Sequence, residues 1–130
     1  MDLLRSFVAV GAGAAIGAWL RWGLAVALNS GRGPVAWGTL AANLIGGYAV
    51  GVALAWVIQR PGLAPEWRLF VITGLLGGLT TFSTFSAEIV QQLTRQQYGS
   101  AALGAALHLF GSLSMTALGL YSYRLFRLGG

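Results

Sequence analysis

Four long apolar segments constrain what this chain can fold into more than any other feature of its sequence. They cover about residues Leu4–Leu28, Gly38–Ile58, Leu69–Leu93 and Ala101–Phe126. Each segment is long enough for a transmembrane helix, which needs ~20 mainly apolar residues. The connections are short and contain Gly, Pro or Asn, which are common where helices end. The sequence therefore predicts an all-α membrane protein with four spans in one domain, residues 1–130.

The composition supports a membrane protein and excludes several kinds of site. Hydrophobic residues make up 56% of the chain and charged residues 8%, a balance too apolar for a soluble domain of this size. The absence of cysteine excludes disulfides, thiolate metal sites and cysteine nucleophiles. A cleaved signal peptide is the alternative interpretation of the first segment, with Arg5 as its basic flank. Against it, the segment continues past Arg21, and its removal would leave only three helices.

The positive charges favour a membrane surface over nucleic acid as their partner. The net charge of +5 comes from arginine alone, spread one or two residues per connection, which favours anchoring at lipid headgroups over nucleic-acid binding. The side of the membrane that holds both termini collects Arg5, Arg60, Arg68, Arg124 and Arg127, and the opposite side Arg21, Arg32 and Arg95. This weak bias allows either one orientation with cytoplasmic termini or insertion in both directions with head-to-foot pairing.

Glycines four residues apart predict close helix packing. The pairs are Gly13/Gly17, Gly47/Gly51 and Gly74/Gly78. Such spacing lets helix backbones approach closely, either within the chain or in an oligomer. The two halves of the chain show no internal similarity, so any inverted symmetry would need a second copy.

Polar residues inside the second and fourth spans are candidate sites, because polar groups in hydrocarbon need partners. Thr39 and Asn43 share one helix face, where the amide either joins two helices or faces a pore. His108, Ser112 and Thr116 form a polar stripe, unless the hydroxyls bond back to their own helix. His108 is expected to be a hydrogen-bonding core residue rather than a metal ligand, because it is the single histidine.

The third span contains the stretch "GGLTTFSTFSAE", Gly77 to Glu88. Glycines before paired threonines weaken the helix and predict a break near its middle, or a simple kink. A break would free carbonyls that protein, water or a cation must satisfy. Phe82 and Phe85 are neighbours on one face, suited to lipid contact or core packing. Their positive ring edges, with nearby serine hydroxyls, could also guide an anion without trapping it as a buried arginine would.

Two charged residues are predicted near the ends of spans. Glu88, the only acid in a span, is expected at a rim, where its carboxylate reaches water. Arg21 is expected to extend to the interface or to attract anions at a vestibule. The chain offers no nucleophile–base pair or metal set, so an enzyme is not expected.

The motifs together resemble the Fluc (CrcB) fluoride-channel family. "GGLTTFSTFSAE" resembles the family's third-helix signature and "GTLAANLIGG" its second-helix motif. "GAWLRW" resembles its first-helix arginine motif and "GSLSMT" its fourth-helix polar run. The resemblance covers nearly the whole chain in length, span count and motif order.

The resemblance implies a passive fluoride-selective channel that exports toxic fluoride across the cell membrane. It implies an antiparallel, dual-topology homodimer with two pores and a broken third helix. The implied pore residues are the Asn43 amide, the rings of Phe82 and Phe85, and a hydroxyl track of Thr39, Ser83, Thr84, Ser112 and Thr116. Arg21 and Glu88 would lie at a vestibule, and His108 next to the pore without an assigned role.

The resemblance also implies a structural sodium ion at the dimer axis. The backbone carbonyls of Gly77 and Thr80 would bind it, and oxygen ligands suit such a hard cation. No organic cofactor is expected.

Two other functions stay open from the sequence. A small four-helix dual-topology multidrug exporter needs a carboxylate in its first helix, but the acids here are Asp2, Glu66 and Glu88. A structural subunit would explain the glycine spacing but not the donors on three helices.

Overall fold

The computed structural model describes residues 2–29, 31 and 33–129, and the regular structure in these residues is helical. The helices are α1 (Leu3–Leu28), α2 (Trp37–Ile58), α3 (residues 65–79), α4 (Phe82–Thr94) and α5 (Tyr98–Leu128). Helix α3 starts as an α-helical turn at Pro65–Arg68, continues as a π-helix over Leu69–Leu76 and ends in the turn Gly77–Leu79.

Four stretches are long and apolar enough to cross a membrane, with α3 and α4 together forming the third. They are Leu3–Leu28, Trp37–Ile58, Pro65–Thr94 and Tyr98–Leu128. The predicted all-α chain with four spans is therefore confirmed. Arg32, which the sequence analysis assigns to the side opposite the termini, lies outside the described residues.

The third and fourth spans begin earlier than predicted. The third starts at Pro65 instead of Leu69, because proline fits the first turn of a helix, where its missing N–H has no partner to lose. The fourth starts at Tyr98 instead of Ala101. As a result, the last connection consists of residues 95–97 only.

This last connection is a compact helix end. Gln97 N–H donates to the Gln92 carbonyl at 2.8 Å, and Gln96 N–H to the Leu93 carbonyl at 3.0 Å. Gln96 has a φ of 59°, the left-handed conformation usually given to glycine in this arrangement. This turn connects α4 to α5 through three residues only.

Between α3 and α4, two residues have extended backbone. Thr80 has φ −84° and ψ 154°, and Thr81 has φ −152° and ψ 121°. Thr81 is also the N-cap of α4, since its hydroxyl oxygen accepts the Thr84 N–H at 3.1 Å. The third span therefore contains free backbone groups in the middle of an apolar stretch, and these define where the site lies.

Glycines bring the helix backbones into direct contact in two pairs. Helix α1 packs mainly on α3, and α2 mainly on α5. A Cβ at Gly17 would overlap the Leu75 carbonyl oxygen, and one at Gly51 would overlap the Thr116 carbonyl oxygen. A Cβ at Gly78 would lie 2.6 Å from the Ala14 carbonyl oxygen. The glycine pairs thus pack against other helices of the same chain, leaving large apolar side chains such as Phe7 exposed on the outside.

Candidate functional site

The extended segment Thr80–Thr81 lies on the wall of a cavity between α2, α4 and α5. We call it the Phe cavity, and its volume is about 360 Å³. Its lining combines aromatic rings, an amide, an imidazole and hydroxyls with aliphatic side chains. The lining residues are Asn43, Gly47, Val50, Thr80, Thr81, Phe82, Phe85, His108, Leu109, Ser112, Leu113 and Thr116. This lining holds no charged side chain, so the cavity offers neutral hydrogen-bonding groups only.

Asn43 joins α2 to the extended segment and to α5. Its Oδ1 accepts the Thr81 N–H at 2.8 Å, and its Nδ2 donates to the Thr81 carbonyl at 3.0 Å. The same Nδ2 lies 3.0 Å from Nδ1 of His108. The amide therefore satisfies both backbone groups of a residue that has left helical geometry, where such groups are costly to leave unpaired in a membrane.

The aromatic residues of the Phe cavity form a continuous stack. The Phe82 and Phe85 rings meet edge to face, with centroids 5.5 Å apart and an interplanar angle of 65°. Phe85 also lies against the imidazole of His108, at 4.6 Å between centroids. His108 is buried, whereas Phe82 is 78% exposed. The stack thus leads from the bundle interior, at His108, to the surface of the chain, at Phe82.

A second cavity lies on the other side of Thr81, and we call it the Arg cavity. Its volume is about 340 Å³. Its lining residues are Ala18, Arg21, Trp22, Ala25, Asn29, Thr39, Thr81, Thr84 and Glu88. In contrast to the Phe cavity, it contains one cationic and one acidic side chain.

The two charged residues of the Arg cavity bond to different partners. Arg21 donates from Nε to the Gly78 carbonyl at 3.0 Å. Glu88 accepts from the Thr39 hydroxyl at 2.6 Å, a length typical of a hydroxyl on a carboxylate. Arg21 thus has a backbone partner that the sequence did not indicate. Thr39 bonds to Glu88, although it shares a helix face with Asn43.

Some lining residues are shared between neighbouring cavities, so these cavities adjoin one another. Glu88 and Asn29 also line a polar cavity of about 260 Å³ at the rim, beside Arg95. Thr81 is common to the Arg and Phe cavities. Ser112 and Thr116 are common to the Phe cavity and to a further cavity of about 370 Å³ towards the other end of α5. Four adjoining cavities therefore run along the bundle.

The structure groups most of the predicted site residues, but in two sets. Asn43, Phe82, Phe85, His108, Ser112 and Thr116 line the Phe cavity, and Arg21, Thr39, Thr84 and Glu88 line the Arg cavity. Ser83 belongs to neither lining and is exposed, with its hydroxyl 3.3 Å from that of Thr81.

Thr81 and Asn29 are site residues that the sequence motifs do not single out. Thr81 lines both cavities. Its position three residues before Thr84 is typical of a helix N-cap, and this pattern could have identified it from the sequence. Asn29 accepts the Gly38 N–H at 2.7 Å and so fixes the start of α2 beside the cavity.

The carbonyl groups of Gly77 and Thr80 are candidate cation ligands. In the part of the chain that the structure describes, no N–H or O–H donates to either oxygen. Gly77 is exposed, and Thr80 is half-buried with its hydroxyl bonded to the Leu76 carbonyl at 2.8 Å. Two unpaired carbonyl oxygens close together in the chain suit a hard cation, which prefers oxygen ligands.

Comparison with known proteins finds one family and its named relatives along nearly the whole chain. Residues 8–120 match the family described as "CrcB-like protein, Camphor Resistance (CrcB)". A protein of Cupriavidus taiwanensis named "Fluoride-specific ion channel FluC" is 59% identical over 119 residues, covering 92% of this chain and 94% of that protein. Proteins of the same name from Thiobacillus denitrificans and Pseudomonas paraeruginosa are 59% and 57% identical, covering 93% and 91% of this chain and 98% and 93% of theirs.

Proposed function

The chain belongs to the CrcB-like protein family, and from that premise we propose that it is a passive, fluoride-selective channel that lets toxic fluoride leave the cell across the plasma membrane. Its relatives carry the name of a fluoride-specific ion channel, so the family is one of channels and not of enzymes. The observation that carries the proposal is the joining of Asn43, Phe82 and Phe85 in one uncharged cavity beside the extended residues Thr80 and Thr81.

The proposed ion route follows the four adjoining cavities. Fluoride enters at the rim beside Arg95 and Glu88, passes Arg21, crosses at Thr81 and continues along Ser112. The arginine of the Arg cavity draws anions by its field. The carboxylate of Glu88 opposes it in the same cavity, which prevents the arginine from holding the anion firmly.

The chemistry of the Phe cavity suits fluoride because its groups are neutral. Hydroxyls and ring edges replace part of the ion's water shell, each with a weak interaction. Conduction needs an ion to bind well enough to enter and loosely enough to leave, and a buried cation would fail the second condition. Phe82 and Phe85 offer ring edges; Ser112 and Thr116 offer hydroxyls along α5.

We further propose that two copies pair head to foot and form two such routes. Phe82 lines the cavity but is 78% exposed, so the wall is incomplete in a single chain and a second copy would close it. The weak arginine bias between the two membrane sides, five against three, is compatible with insertion in both directions.

A structural sodium ion at the axis of this dimer is part of the proposal. The carbonyls of Gly77 and Thr80 would hold it, since they accept no hydrogen bond in the described part of the chain. Such an ion would offset the dipoles of these two carbonyl groups. The proposed role of this ion is structural.

Ion efflux from liposomes that contain only this chain tests the function. We expect fluoride to leave down its gradient at a rate far above that of chloride, without any proton gradient. Comparable fluxes of the two ions would contradict the selectivity. Transport that requires a proton gradient would instead indicate an exchanger or drug exporter, and no flux at all would indicate a structural subunit.

A further inference from the structure

The amide of Asn43 has only one orientation compatible with its neighbours. The Thr81 N–H can only donate, so the side-chain atom 2.8 Å from it must be the oxygen. The Thr81 carbonyl can only accept, so the atom 3.0 Å from it must be the nitrogen. The backbone of the extended segment therefore fixes which end of the amide is which.

This orientation also determines the state of His108. The Asn43 Nδ2 group has two hydrogens and cannot accept, and one hydrogen is used on Thr81. Nδ1 of His108, 3.0 Å away, must therefore be the acceptor and carry no proton. A neutral imidazole without a proton on Nδ1 carries it on Nε2.

The Nε2 atom of His108 is left without a protein partner in the described residues. It makes no hydrogen bond there, and the buried side-chain atoms lacking a partner in that part of the chain are Ser6 Oγ and Gln92 Oε1. Nε2 is therefore not sealed inside the protein, although the His108 residue as a whole is buried. His108 lines the Phe cavity, and the proposal below places this N–H at the wall of that cavity as a neutral donor.

We propose that Asn43 acts as a positioning residue rather than as a direct ion ligand. It clamps Thr81 in extended geometry and, with its remaining hydrogen, holds His108 as the Nε2–H tautomer. The proposal rests on the proposed function only in taking the Phe cavity as the ion route. Both hydrogens of the Asn43 amide are used on Thr81 and His108. The donor that faces the ion is therefore the imidazole N–H of His108 and not the amide of Asn43.

Nitrogen NMR on the full-length protein in lipid bilayers tests the tautomer directly. The chain has a single histidine, so ¹⁵N-histidine labelling gives one pair of ring signals. We expect a one-bond N–H coupling at Nε2 and none at Nδ1. A proton on Nδ1, with or without one on Nε2, would overturn the proposal. This measurement requires no ion transport, so its outcome is independent of whether the chain conducts fluoride.

Hydrogen exchange at the Thr81 amide tests the clamp. In Asn43→Ala the Thr81 N–H loses its acceptor, and we expect its exchange to accelerate about tenfold or more. In His108→Leu the clamp keeps both bonds to Thr81, so exchange should stay close to that of the unchanged protein. The control Ser112→Ala removes a hydroxyl from the same cavity and should alter neither the exchange at Thr81 nor the tautomer of His108.

Two outcomes of the exchange experiment would contradict the clamp. One is full protection of Thr81 in Asn43→Ala, and the other is loss of protection in His108→Leu. If Asn43→Ala does not fold, two measurements still test the proposal. They are the histidine spectrum of the unchanged protein and the exchange rate of Thr81 in His108→Leu.

Discussion

Arg21, in α1, donates its Nε–H to the carbonyl oxygen of Gly78, in α3, across 3.0 Å. In a continuous helix this carbonyl would accept the N–H of the residue four positions on, Phe82. The extended backbone of Thr80 and Thr81 prevents that bond. An arginine of the first span therefore satisfies a backbone group that is freed in the third, where lipid could not.

Replacing Arg21 by methionine should destabilise the protein. The change keeps an unbranched apolar stem but removes the donor, leaving the Gly78 carbonyl unpaired at a cost of about 1–3 kcal/mol. Thermal unfolding in detergent measures the loss. Arg5→Met is the matched control, since Arg5 is exposed and, among the described residues, its ion pair is with Asp2, the N-cap of the same helix, at 3.3 Å. Equal losses for the two variants would rule out the special role of Arg21.

Replacing Asn43 by aspartate should reduce fluoride efflux from liposomes by roughly tenfold or more. A carboxylate in a low-dielectric cavity repels an anion, and it also leaves the Thr81 carbonyl without its donor. Gln59→Glu makes the same chemical change at an exposed residue at the end of α2 and should leave efflux unchanged. Unchanged efflux in Asn43→Asp would remove Asn43 from the route.

Replacing Phe82 by isoleucine should lower the fluoride flux several-fold while the protein stays folded. Apolar bulk remains, but the ring edge and its edge-to-face contact with Phe85 are lost. Phe7 is an apt control because it is also 78% exposed but lies on the outer face of α1, away from the cavity. A Phe7→Ile variant that loses as much flux would show that the effect is not specific to the cavity.

Replacing Gly17 by alanine should destabilise the contact between α1 and α3. The added methyl would overlap the Leu75 carbonyl oxygen, which belongs to backbone and cannot rotate away. We expect a loss of about 1–3 kcal/mol in unfolding experiments. Gly11→Ala places a methyl where nothing lies within 4 Å and should be neutral or stabilising by up to about 1 kcal/mol. If both variants behave alike, the close backbone contact is not important for stability.

Replacing Gln96 by glycine should stabilise the turn between α4 and α5 by about 0.5–1 kcal/mol. Its φ of 59° places a side chain in the left-handed region, which glycine adopts without a steric cost. A rise in melting temperature in detergent would report the gain. Gln91, inside α4, is the control, and its change to glycine should destabilise the protein by about 1 kcal/mol.

The spans could be predicted from the sequence because membrane crossing depends mainly on the length and polarity of a segment. Their ends were harder to predict. The sequence predicts Pro65 in a connection because proline usually ends helices, but at the first position of a helix proline costs nothing. The sequence pattern does not distinguish these two uses.

The grouping of polar residues could be predicted only within one helix. Thr39 and Asn43 share a face of α2, as their spacing predicts, but Thr39 bonds to Glu88 and Asn43 to Thr81. Periodicity gives the direction of a side chain from its own helix axis and not the neighbour that it meets at a given depth. The division into two cavities therefore needed the packing of α4 against α2 and α5.

The backbone contacts at the glycines also determine the order in which the fold can be completed. The main partner of α1 is α3, and the main partner of α2 is α5, so neither pair consists of helices adjacent in the chain. A growing polypeptide cannot close either pair as a simple hairpin. During synthesis, α2 therefore lacks its main packing partner until α5, the last span, has been made.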